Sequence, residues 1–210
     1  KAEIVENPSE ADATIINTCA FIESAKTEAM DTILEILQIK SENPNHKVIV
    51  TGCLPQRYQQ DIAELLPEVD QFVPFIDAEK ATKAVFDFLG KKYEKAALRK
   101  RISPTHYGYL KISEGCNNRC SYCAIPLIKG NYKSFPKQMV LEEAQRLVET
   151  GVKELIVVAQ DTTVYGRDLG KQYFIQSLLQ DLSDIPQLQW IRLMYTHPAH
   201  WSDELIETIA

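Results

Sequence analysis

An eight-residue stretch organises the chain: Cys116-Asn117-Asn118-Arg119-Cys120-Ser121-Tyr122-Cys123, called the cysteine loop below. It follows an apolar run at residues 107–112, which predicts a buried strand, and Gly115 is the turn residue between them. Three thiols at spacings of four and three residues can face one point without any long-range folding. Because thiolates are ligands of soft metal centres, the stretch predicts a metal site where a strand ends.

The number of thiols in the loop bears on the kind of metal site. A structural zinc site takes four ligands and closes its coordination sphere, whereas an iron–sulfur cube usually takes one cysteine per iron. Three cysteines therefore favour a cube with one iron left open for another molecule. Two alternatives stay open: a zinc site with a distant fourth ligand, and a redox dithiol of Cys120 and Cys123, which leaves Cys116 unexplained.

The composition is typical of a soluble globular protein of one large or two ordinary domains, since 45% of its 210 residues are hydrophobic and 25% are charged. There is no apolar run as long as a membrane span and no signal-peptide pattern, and five cysteines are an odd number for a disulfide framework. We therefore expect a cytoplasmic protein without membrane contact. The net charge of −6 argues against a whole-chain, non-specific nucleic-acid binder.

The first half of the chain alternates between strand and helix patterns. Strands are predicted at residues 13–18, 47–52 and 71–73, and helices at 22–39, after Pro55 and at 78–89. Continuous apolar strands in such an alternation predict a parallel sheet covered on both faces. Cys19 and Cys53 each follow a strand, and if these strands are neighbours their thiols can share a ligand at the carboxyl edge of the sheet. The alternative is a pair of buried structural cysteines.

The second half contains three strand–helix units. Strands are predicted at residues 107–112, 154–159 and 189–194, and helices at 140–150, 174–182 and from 203 onward. Three such units predict the opening half of a parallel β/α barrel, whose active site lies at the carboxyl face of the strands. The cysteine loop, Gln160, Asp161 and residues 195–197 map to that face. Because the chain stops after the third unit, we expect an unclosed barrel with exposed apolar edges.

These patterns divide the chain into a domain at residues 1–90, a linker at 91–106 and the barrel portion at 107–210. Against the single acidic residue Glu94, the linker carries six positive charges: Lys91, Lys92, Lys95, Arg99, Lys100 and Arg101. We interpret it as a solvated linker, with a nucleic-acid or ribosome contact as the alternative. The chain begins with Lys1 instead of Met, which suggests a fragment.

The C-x-x-x-C-x-x-C spacing with Tyr122 just before the last cysteine resembles the cluster loop of radical S-adenosylmethionine (SAM) enzymes. Further segments resemble one branch of these enzymes, the methylthiotransferases, so that the resemblance covers essentially the whole chain. These segments are residues 16–25, 51–54 (Thr51-Gly52-Cys53-Leu54), 109–116, 123–126 and 159–166. The resemblance implies an α/β protein with a flavodoxin-like parallel-sheet domain followed by the first half of a radical SAM barrel.

The same resemblance implies two 4Fe–4S clusters and SAM as cofactors. Cys116, Cys120 and Cys123 would hold one cluster, whose open iron chelates the amino and carboxylate groups of SAM. Cys19 and Cys53 would hold the other, which carries the sulfur to be methylated and inserted. The third ligand of that cluster is expected on a strand that precedes the chain, and the family's C-terminal RNA-binding-type domain has no counterpart in the sequence.

The resemblance also bears on the substrate. One branch of the family modifies a tRNA adenosine beside the anticodon, and the other modifies an aspartate of small-subunit ribosomal protein S twelve. Residues 19–26 and 160–163 look like the ribosomal-protein branch, since the tRNA branch more often has Asn where Asp161 stands. This implies methylthio transfer to the aspartate β-carbon, with an electron donor and a sulfur source as further partners. A zinc-stabilised binding module without catalysis is the alternative of a different class.

No catalytic residue is assigned, but four residues are candidates for contacts with SAM. The resemblance places Tyr122 near the adenine and Gln160 and Asp161 near the amino group, although an acidic residue after a strand is equally a helix N-cap. Arg192 is a candidate for the SAM carboxylate or the substrate aspartate, and if it faces inward it needs a partner charge.

Other polar residues near the predicted carboxyl face have weaker signals. His197 and His200 have a spacing that metal sites also use, and we interpret them as part of a polar loop. Lys129, Lys133 and Lys137 follow the cysteines and face either the substrate or water.

Overall fold

The structure, a computed structural model, describes residues 3–74, 78–94, 103–170 and 174–210. Its contacts divide the chain into two compact units, Lys1–Lys95 with Cys120–Lys129 and Ala96–Arg119 with Gly130–Ala210. The division passes through the cysteine loop, between Arg119 and Cys120. Residues 95–102 of the predicted basic linker lie outside the described residues, so the role of the linker stays a prediction.

The first unit contains a parallel sheet with the strands in the order β1 (Ala13–Thr18), β2 (Lys47–Gly52) and β3 (Gln71–Pro74). Its helices are α1 (Glu23–Glu42), α2 (Cys53–Leu65), α3 (Ala78–Phe88) and α4 (Ile125–Lys129). The predicted parallel sheet is confirmed. Helix α1 continues past the predicted end at residue 39 because no helix breaker occurs before Asn43 and Pro44, and a residue that precedes proline disfavours helical backbone.

Helices cover both faces of this sheet along its central strand. Val48, Ile49 and Val50 of β2 are fully buried. Val48 and Val50 belong to a core cluster with residues of α1 and α2, whereas Ile49 packs with Val73 and with Val85 of α3. Successive strand residues point to opposite faces, so a strand that is apolar at every position is stable only when both faces are covered. The predicted arrangement of the sheet is therefore confirmed.

The carboxyl ends of β1 and β2 lie in close backbone contact at Gly52. Gly52 has a φ of 104° and a ψ of −153°, a conformation that essentially only glycine adopts. A Cβ at this position would lie 2.3 Å from the carbonyl oxygen of Thr18. The Thr18 hydroxyl donates to the carbonyl oxygen of Thr51 (2.7 Å) and accepts from the N–H of Leu54 (3.3 Å). These contacts join the two segments from which the N-terminal cysteines emerge.

Replacing Gly52 with alanine is expected to lower the free energy of unfolding by about 3 kcal/mol or more. The disfavoured backbone conformation contributes about 1–3 kcal/mol, and the added methyl group meets backbone atoms that have no room to move aside. Chemical denaturation of the purified protein measures the loss. Gly90→Ala is the matched control, because Gly90 also has a positive φ of 63° but nothing lies within 4 Å of its Cβ position. Equal losses in the two variants would contradict the close contact at Gly52.

The second unit contains the strands β4 (Tyr107–Lys111), β5 (Ser113–Glu114), β6 (Lys133–Ser134), β7 (Glu154–Val158) and β8 (Trp190–Leu193). Strands β4, β7 and β8 form a parallel sheet in that order, and β5 pairs with β6 in antiparallel fashion. The helices are α5 (Lys137–Glu149), α6 (Ile175–Ser183) and α7 (Asp203–Ile209). The α/β fold class with parallel sheets is confirmed. None of the helices in the described part of the chain combines the length and apolar character needed to cross a bilayer.

One face of the second sheet is covered by helices. Leu110, Leu155 and Val157 are fully buried in a cluster with residues of α5 and α6. On the opposite face, Tyr109 is 49% exposed and Trp190 is 63% exposed. This sheet therefore exposes aromatic side chains on one face, the face that would point inward in a barrel.

The predicted strand at residues 107–112 changes partners before it reaches the cysteines. The N–H of Ile112 donates to the carbonyl oxygen of Val158 (3.1 Å), as expected for the parallel sheet. Its carbonyl oxygen instead accepts from the N–H of Phe135 (2.9 Å), and the next residues form β5, which pairs with β6. The chain thus leaves the parallel sheet at Ile112 and enters a short hairpin from which the cysteine loop emerges.

Candidate metal and cofactor site

The cysteine loop begins at a backbone contact that only glycine permits. Gly115 has a φ of 73°, and a Cβ there would lie 2.2 Å from the carbonyl oxygen of Asn131. The N–H of Cys116 donates to the carbonyl oxygen of Gly130 (3.2 Å). Backbone atoms of residues 130–131 therefore support the first cysteine of the loop, which is 7% exposed.

Two asparagines hold the loop after Cys116. Asn117 Oδ1 accepts a hydrogen bond from the N–H of Tyr132 (3.0 Å). Asn118 makes two contacts: its N–H donates to Cys116 Sγ (3.4 Å), and its Nδ2 donates to Asp161 Oδ2 (2.8 Å). The polar residues after Cys116 therefore anchor the loop to two other segments of the second unit.

Asp161 is a buried carboxylate with a complete set of hydrogen bonds. It is 1% exposed, and Oδ1 accepts from the N–H of Thr163 (3.1 Å) and from the Thr163 hydroxyl. Oδ2 accepts from Asn118 and from Nδ1 of His200 (2.8 Å). Burial raises the pKa of Asp161, but hydrogen bonds from Thr163, Asn118 and His200 together outweigh burial and hold the pKa below its ordinary value.

The same residue caps a short helix. Asp161 precedes the 3-10 helix Thr162–Val164, and its side chain accepts from an N–H of the first turn. The N-cap alternative for Asp161 is therefore present in the structure. A direct contact with the amino group of SAM would require Asp161 to share or exchange one of its present donors, and that contact stays a prediction.

A cavity of about 370 Å³ lies beside this carboxylate in the second unit. Its lining comprises Cys116, Asn117, Asn118, Tyr132, Asp161, Val164, Arg167, Asp168 and His200. Burial raises the pKa of Tyr132 to about 12, so its hydroxyl keeps its proton at neutral pH. Arg167 and Asp168 are exposed. One cavity is thus lined by the thiol of Cys116, the buried carboxylate of Asp161 and the exposed charged side chains of Arg167 and Asp168.

Gln160 lies beside the acidic residue of the hairpin. Its Nε2 donates to Glu114 Oε1 (3.5 Å), and Glu114 also forms an ion pair with Lys111. The amide oxygen Oε1 of Gln160 is buried and accepts no hydrogen bond from the described residues. A buried acceptor without a donor is costly, and a ligand that carries an ammonium group would satisfy it. Gln160 therefore fits the predicted contact with the amino group of SAM.

Tyr122 and Arg192 occupy different environments. Tyr122 belongs to the segment that groups with the first unit, and it is 85% exposed. Arg192 Nε donates to Glu154 Oε1 (2.6 Å) in an ion pair that supplies the predicted partner charge. Glu154 is the first residue of β7, so this contact directs the Arg192 side chain towards the amino-terminal end of the sheet. Contacts of these two residues with SAM stay predictions.

The other four cysteines belong to the first unit. The N–H of Cys123 donates to the carbonyl oxygen of Cys120 (3.0 Å), and both are partly buried free thiols. Cys19 is exposed and Cys53 is partly buried, and each directly follows one of the register partners that end β1 and β2. The two strands are therefore neighbours, which is the condition under which these thiols can share a ligand.

The donor set of the loop consists of three thiols, the ligand type of iron–sulfur clusters. Among the described residues, no three side chains of His, Cys, Asp or Glu lie close enough together to hold a single metal ion. A cube differs from a single ion because each thiolate binds a different iron, so the sulfur atoms stay apart. Three thiols in eight residues, with an N–H directed at the first sulfur, fit such a cluster in number and in chemistry.

Sequence reasoning missed two parts of this site. The interpretation of His200 as a polar loop residue is incomplete, because the structure joins it to Asp161 and places it in the cavity lining. The sequence pattern does not single out Asn118, although its backbone N–H and its side-chain amide both donate hydrogen bonds. The histidine after a strand end was a visible signal, whereas no pattern in the sequence identified its partner.

Two family descriptions match the chain. Residues 110–210 match the radical SAM superfamily, and residues 1–74 match the uncharacterized protein family UPF0004. The chain is 45% identical to the ribosomal protein uS12 methylthiotransferase RimO of Clostridium novyi (strain NT), over 100% of the chain and 49% of that relative. The whole chain is therefore similar to relatives named as methylthiotransferases, and residues 110–210 match the radical SAM superfamily, which confirms the resemblance read from the sequence.

Further relatives carry the same name. RimO of Clostridium botulinum (strain Langeland / NCTC 10281 / Type F) is 43% identical over 100% of the chain and 49% of the relative. RimO of Clostridium tetani (strain Massachusetts / E88) is 45% identical over 99% of the chain and 49% of the relative. The chain spans about half the length of the curated relatives it matches.

A solved structure shows the same fold. The radical SAM methyltransferase TsrM of Kitasatospora setae, with tryptophan substrate and a SAM analogue bound, superposes with a TM-score of 0.61. The match covers 94% of this chain and 45% of that chain at 13% identity. At this identity the similarity supports the fold of the chain and nothing about its substrate.

Replacing Gly115 with alanine is expected to reduce iron loading of the cysteine loop by more than half after anaerobic reconstitution. The Cβ would meet the carbonyl oxygen of Asn131, so the loop must shift and Cys116 moves with it. Iron and sulfide content per chain measures the effect. Gly130→Ala is the matched control, because Gly130 has a similar φ of 72° and an open Cβ position. Equal iron content in the two variants would show that the contact does not position the loop.

Proposed function

We propose that the protein transfers a methylthio group to the β-carbon of an aspartate in small-subunit ribosomal protein uS12, using radical SAM chemistry and two 4Fe–4S clusters. The observation that carries the proposal is the similarity of the whole chain, at 42–45% identity, to relatives named for methylthiotransfer to uS12. The three cysteines of the loop support it, as do Cys19 and Cys53, which follow the neighbouring strands β1 and β2. A ribosomal protein as substrate implies a cytoplasmic enzyme.

Cys116, Cys120 and Cys123 would hold the first cluster. When bound, such a cluster would supply the electron for reductive cleavage of SAM, the chemistry that removal of hydrogen from an unactivated carbon needs. A radical route suits this position because the C–H bonds on the β-carbon of an aspartate are only weakly acidic, which makes proton removal by a general base difficult. The protein therefore contributes ligands, orientation and shielding from water.

Residues in and around the cysteine loop would supply that orientation. Asn117 and Asn118 anchor the loop, and the anionic Asp161 holds Asn118 in place. The buried amide oxygen of Gln160 is the acceptor proposed for the ammonium group of SAM. The exposed ring of Tyr122 is available to the adenine. These roles distribute binding over several strand ends, as is usual at the carboxyl face of a β/α barrel.

Cys19 and Cys53 would hold the second cluster together with a third ligand. Their strands are hydrogen-bonded neighbours, and the contacts of Gly52 and Thr18 join the segments from which they emerge. The Arg57 side chain adds a hydrogen bond to the carbonyl oxygen of Ala20 (2.8 Å), next to Cys19. The second cluster would carry the sulfur that is methylated, and an electron donor and a sulfur source complete the set of partners.

Comparison of ribosomal protein uS12 and tRNA from cells with and without the gene tests the proposal. Mass spectrometry is expected to show that the methylthio group on the uS12 aspartate is lost in the deletion strain and restored by the wild-type gene. Restoration should fail with the Cys120→Ala gene. An unchanged uS12 together with loss of a methylthio group from tRNA would overturn the substrate assignment in favour of the tRNA branch.

A further inference from the structure

We propose that His200, acting through the buried Asp161 and Asn118, positions the first ligand of the loop cluster and raises the reduction potential of that cluster. The inference rests on the proposed function, because it requires that the cysteine loop binds a 4Fe–4S cluster. His200 and Asp161 act here as positioning residues, since both reach Cys116 only through Asn118.

Asn118 is the link between the sulfur and the rest of the chain of hydrogen bonds. Its N–H donates to Cys116 Sγ (3.4 Å), and its side chain donates to Asp161 Oδ2 (2.8 Å). The backbone orientation of a residue is constrained when its side chain is anchored at the far end. The length and angle of the N–H···S contact therefore depend on where Asp161 holds the amide group.

Asp161 is fixed from two directions. Thr163 occupies Oδ1 through its N–H and its hydroxyl, and Asn118 and His200 share Oδ2. The carboxylate is 1% exposed, and its hydrogen bonds to these protein donors hold it in one orientation. Because a carboxylate only accepts hydrogen bonds, Nδ1 of His200 must carry the proton in this contact. Removal of His200 leaves Oδ2 with Asn118 as its sole described donor.

The position of His200 is itself set by the loop after β8. His200 ends the 3-10 helix Pro198–His200, and the N–H of His200 donates to the carbonyl oxygen of His197 (3.0 Å). The N–H of Thr162 donates to the carbonyl oxygen of Tyr195 (3.1 Å), and the Thr162 hydroxyl donates to that of Met194 (2.7 Å). The loops after β7 and β8 are thus fastened together, which lets His200 act as a rigid support.

Hydrogen bonds to cluster sulfurs affect the reduction potential. An N–H dipole directed at a sulfur stabilises the more negative, reduced state of a cluster and raises its potential. A looser Asn118 would weaken this dipole contact with Cys116 Sγ. The expected consequence of losing the His200 donor is a shift of the midpoint potential to more negative values, without loss of a cluster ligand.

The test compares His200→Leu with His200→Asn. Both side chains are branched at Cγ, but only asparagine has an N–H donor close to the position of Nδ1. The midpoint potential of the reconstituted cluster is measured by redox titration with EPR detection, in protein that carries Cys19→Ala and Cys53→Ala so that only the loop cluster contributes. We expect a negative shift in His200→Leu and a potential close to that of the parent in His200→Asn.

The outcomes separate this inference from the proposed function. If the parent protein binds no cluster at the cysteine loop, the proposed function fails, and this inference falls with it. If it binds one and His200→Leu has the parent potential, the inference alone is overturned. An equal shift in both His200 variants also overturns it, because the donor would not be the cause. Should His200→Leu not load iron, Asn118→Leu provides the same comparison, and an unchanged potential there overturns the inference.

Discussion

Replacing Cys120 with alanine is expected to lower the yield of 5′-deoxyadenosine from SAM by more than about 100-fold. Removing residues that only hydrogen-bond to metal ligands already costs about 10–100-fold in affinity or activity, and loss of a ligand itself has a larger effect. The chain has five cysteines, and the two outside the loop, Cys19 and Cys53, follow a different pair of strands. The other two thiols of the loop, Cys116 and Cys123, are themselves assigned as ligands, so neither can take the place of Cys120.

Anaerobic reconstitution with iron and sulfide, followed by reduction in the presence of SAM, measures this effect. Ser121→Ala is the matched control, because Ser121 is exposed in the same loop and contributes no thiol. The control should keep the iron content and the 5′-deoxyadenosine yield of the wild type. A Cys120→Ala protein that still cleaves SAM at the wild-type rate would contradict the assignment of the loop as the cluster site. Retention of zinc in place of iron by the wild type would favour the binding-module alternative.

The order and type of the main elements could be predicted because their apolar patterns are strong. The fully buried β2 is apolar at three successive positions, and the helices after it have the spacing of one apolar face. Parallel pairing of β1 with β2 followed from the intervening helix, and this put Cys19 and Cys53 at one edge of the sheet. Local pattern and tertiary packing agree in these segments, which is why sequence reasoning succeeded there.

The details of the candidate site depended on contacts between loops that no local pattern encodes. The hairpin of β5 and β6 is made by two short pieces, and Lys133 and Ser134 have no apolar signal of a strand. The contact of His200 with Asp161 joins residues 39 positions apart, and that of Asn118 with Asp161 joins residues 43 apart. Periodicity reports on one element at a time, so the sequence identified Asp161 as notable but not the donors that surround it.

For Arg192, the sequence predicted the need for a partner charge but not which residue supplies it. Its place on a barrel strand suggested a contact with an anionic ligand, and its need for a partner charge followed from the cost of burying a lone cation. The structure supplies that charge from Glu154, on the neighbouring strand and two register positions from Arg192. Identifying the partner required the strand register, which is set by the packing of both strands and not by the sequence of either.

Replacing both Cys19 and Cys53 with alanine is expected to separate the two halves of the proposed reaction. Cleavage of SAM to 5′-deoxyadenosine should continue, because the double replacement leaves the three loop cysteines unchanged. Methylthio transfer to a uS12 substrate should fall by more than about 100-fold, since the ligands of the sulfur-carrying cluster are lost. Iron content per chain should fall towards the value expected for one cluster.

The Cys120→Ala protein is the matched comparison for the double variant, because it removes a thiol from the same chain with the opposite expected pattern. Cys120→Ala should lose both SAM cleavage and methylthio transfer, whereas the double variant should lose only the transfer. Mass spectrometry of uS12 and quantification of 5′-deoxyadenosine in the same reaction give both readouts. Normal methylthio transfer by the double variant would show that Cys19 and Cys53 are structural cysteines. Loss of both readouts would mean that the two sites do not act separately, and the division of labour between the clusters would have to be abandoned.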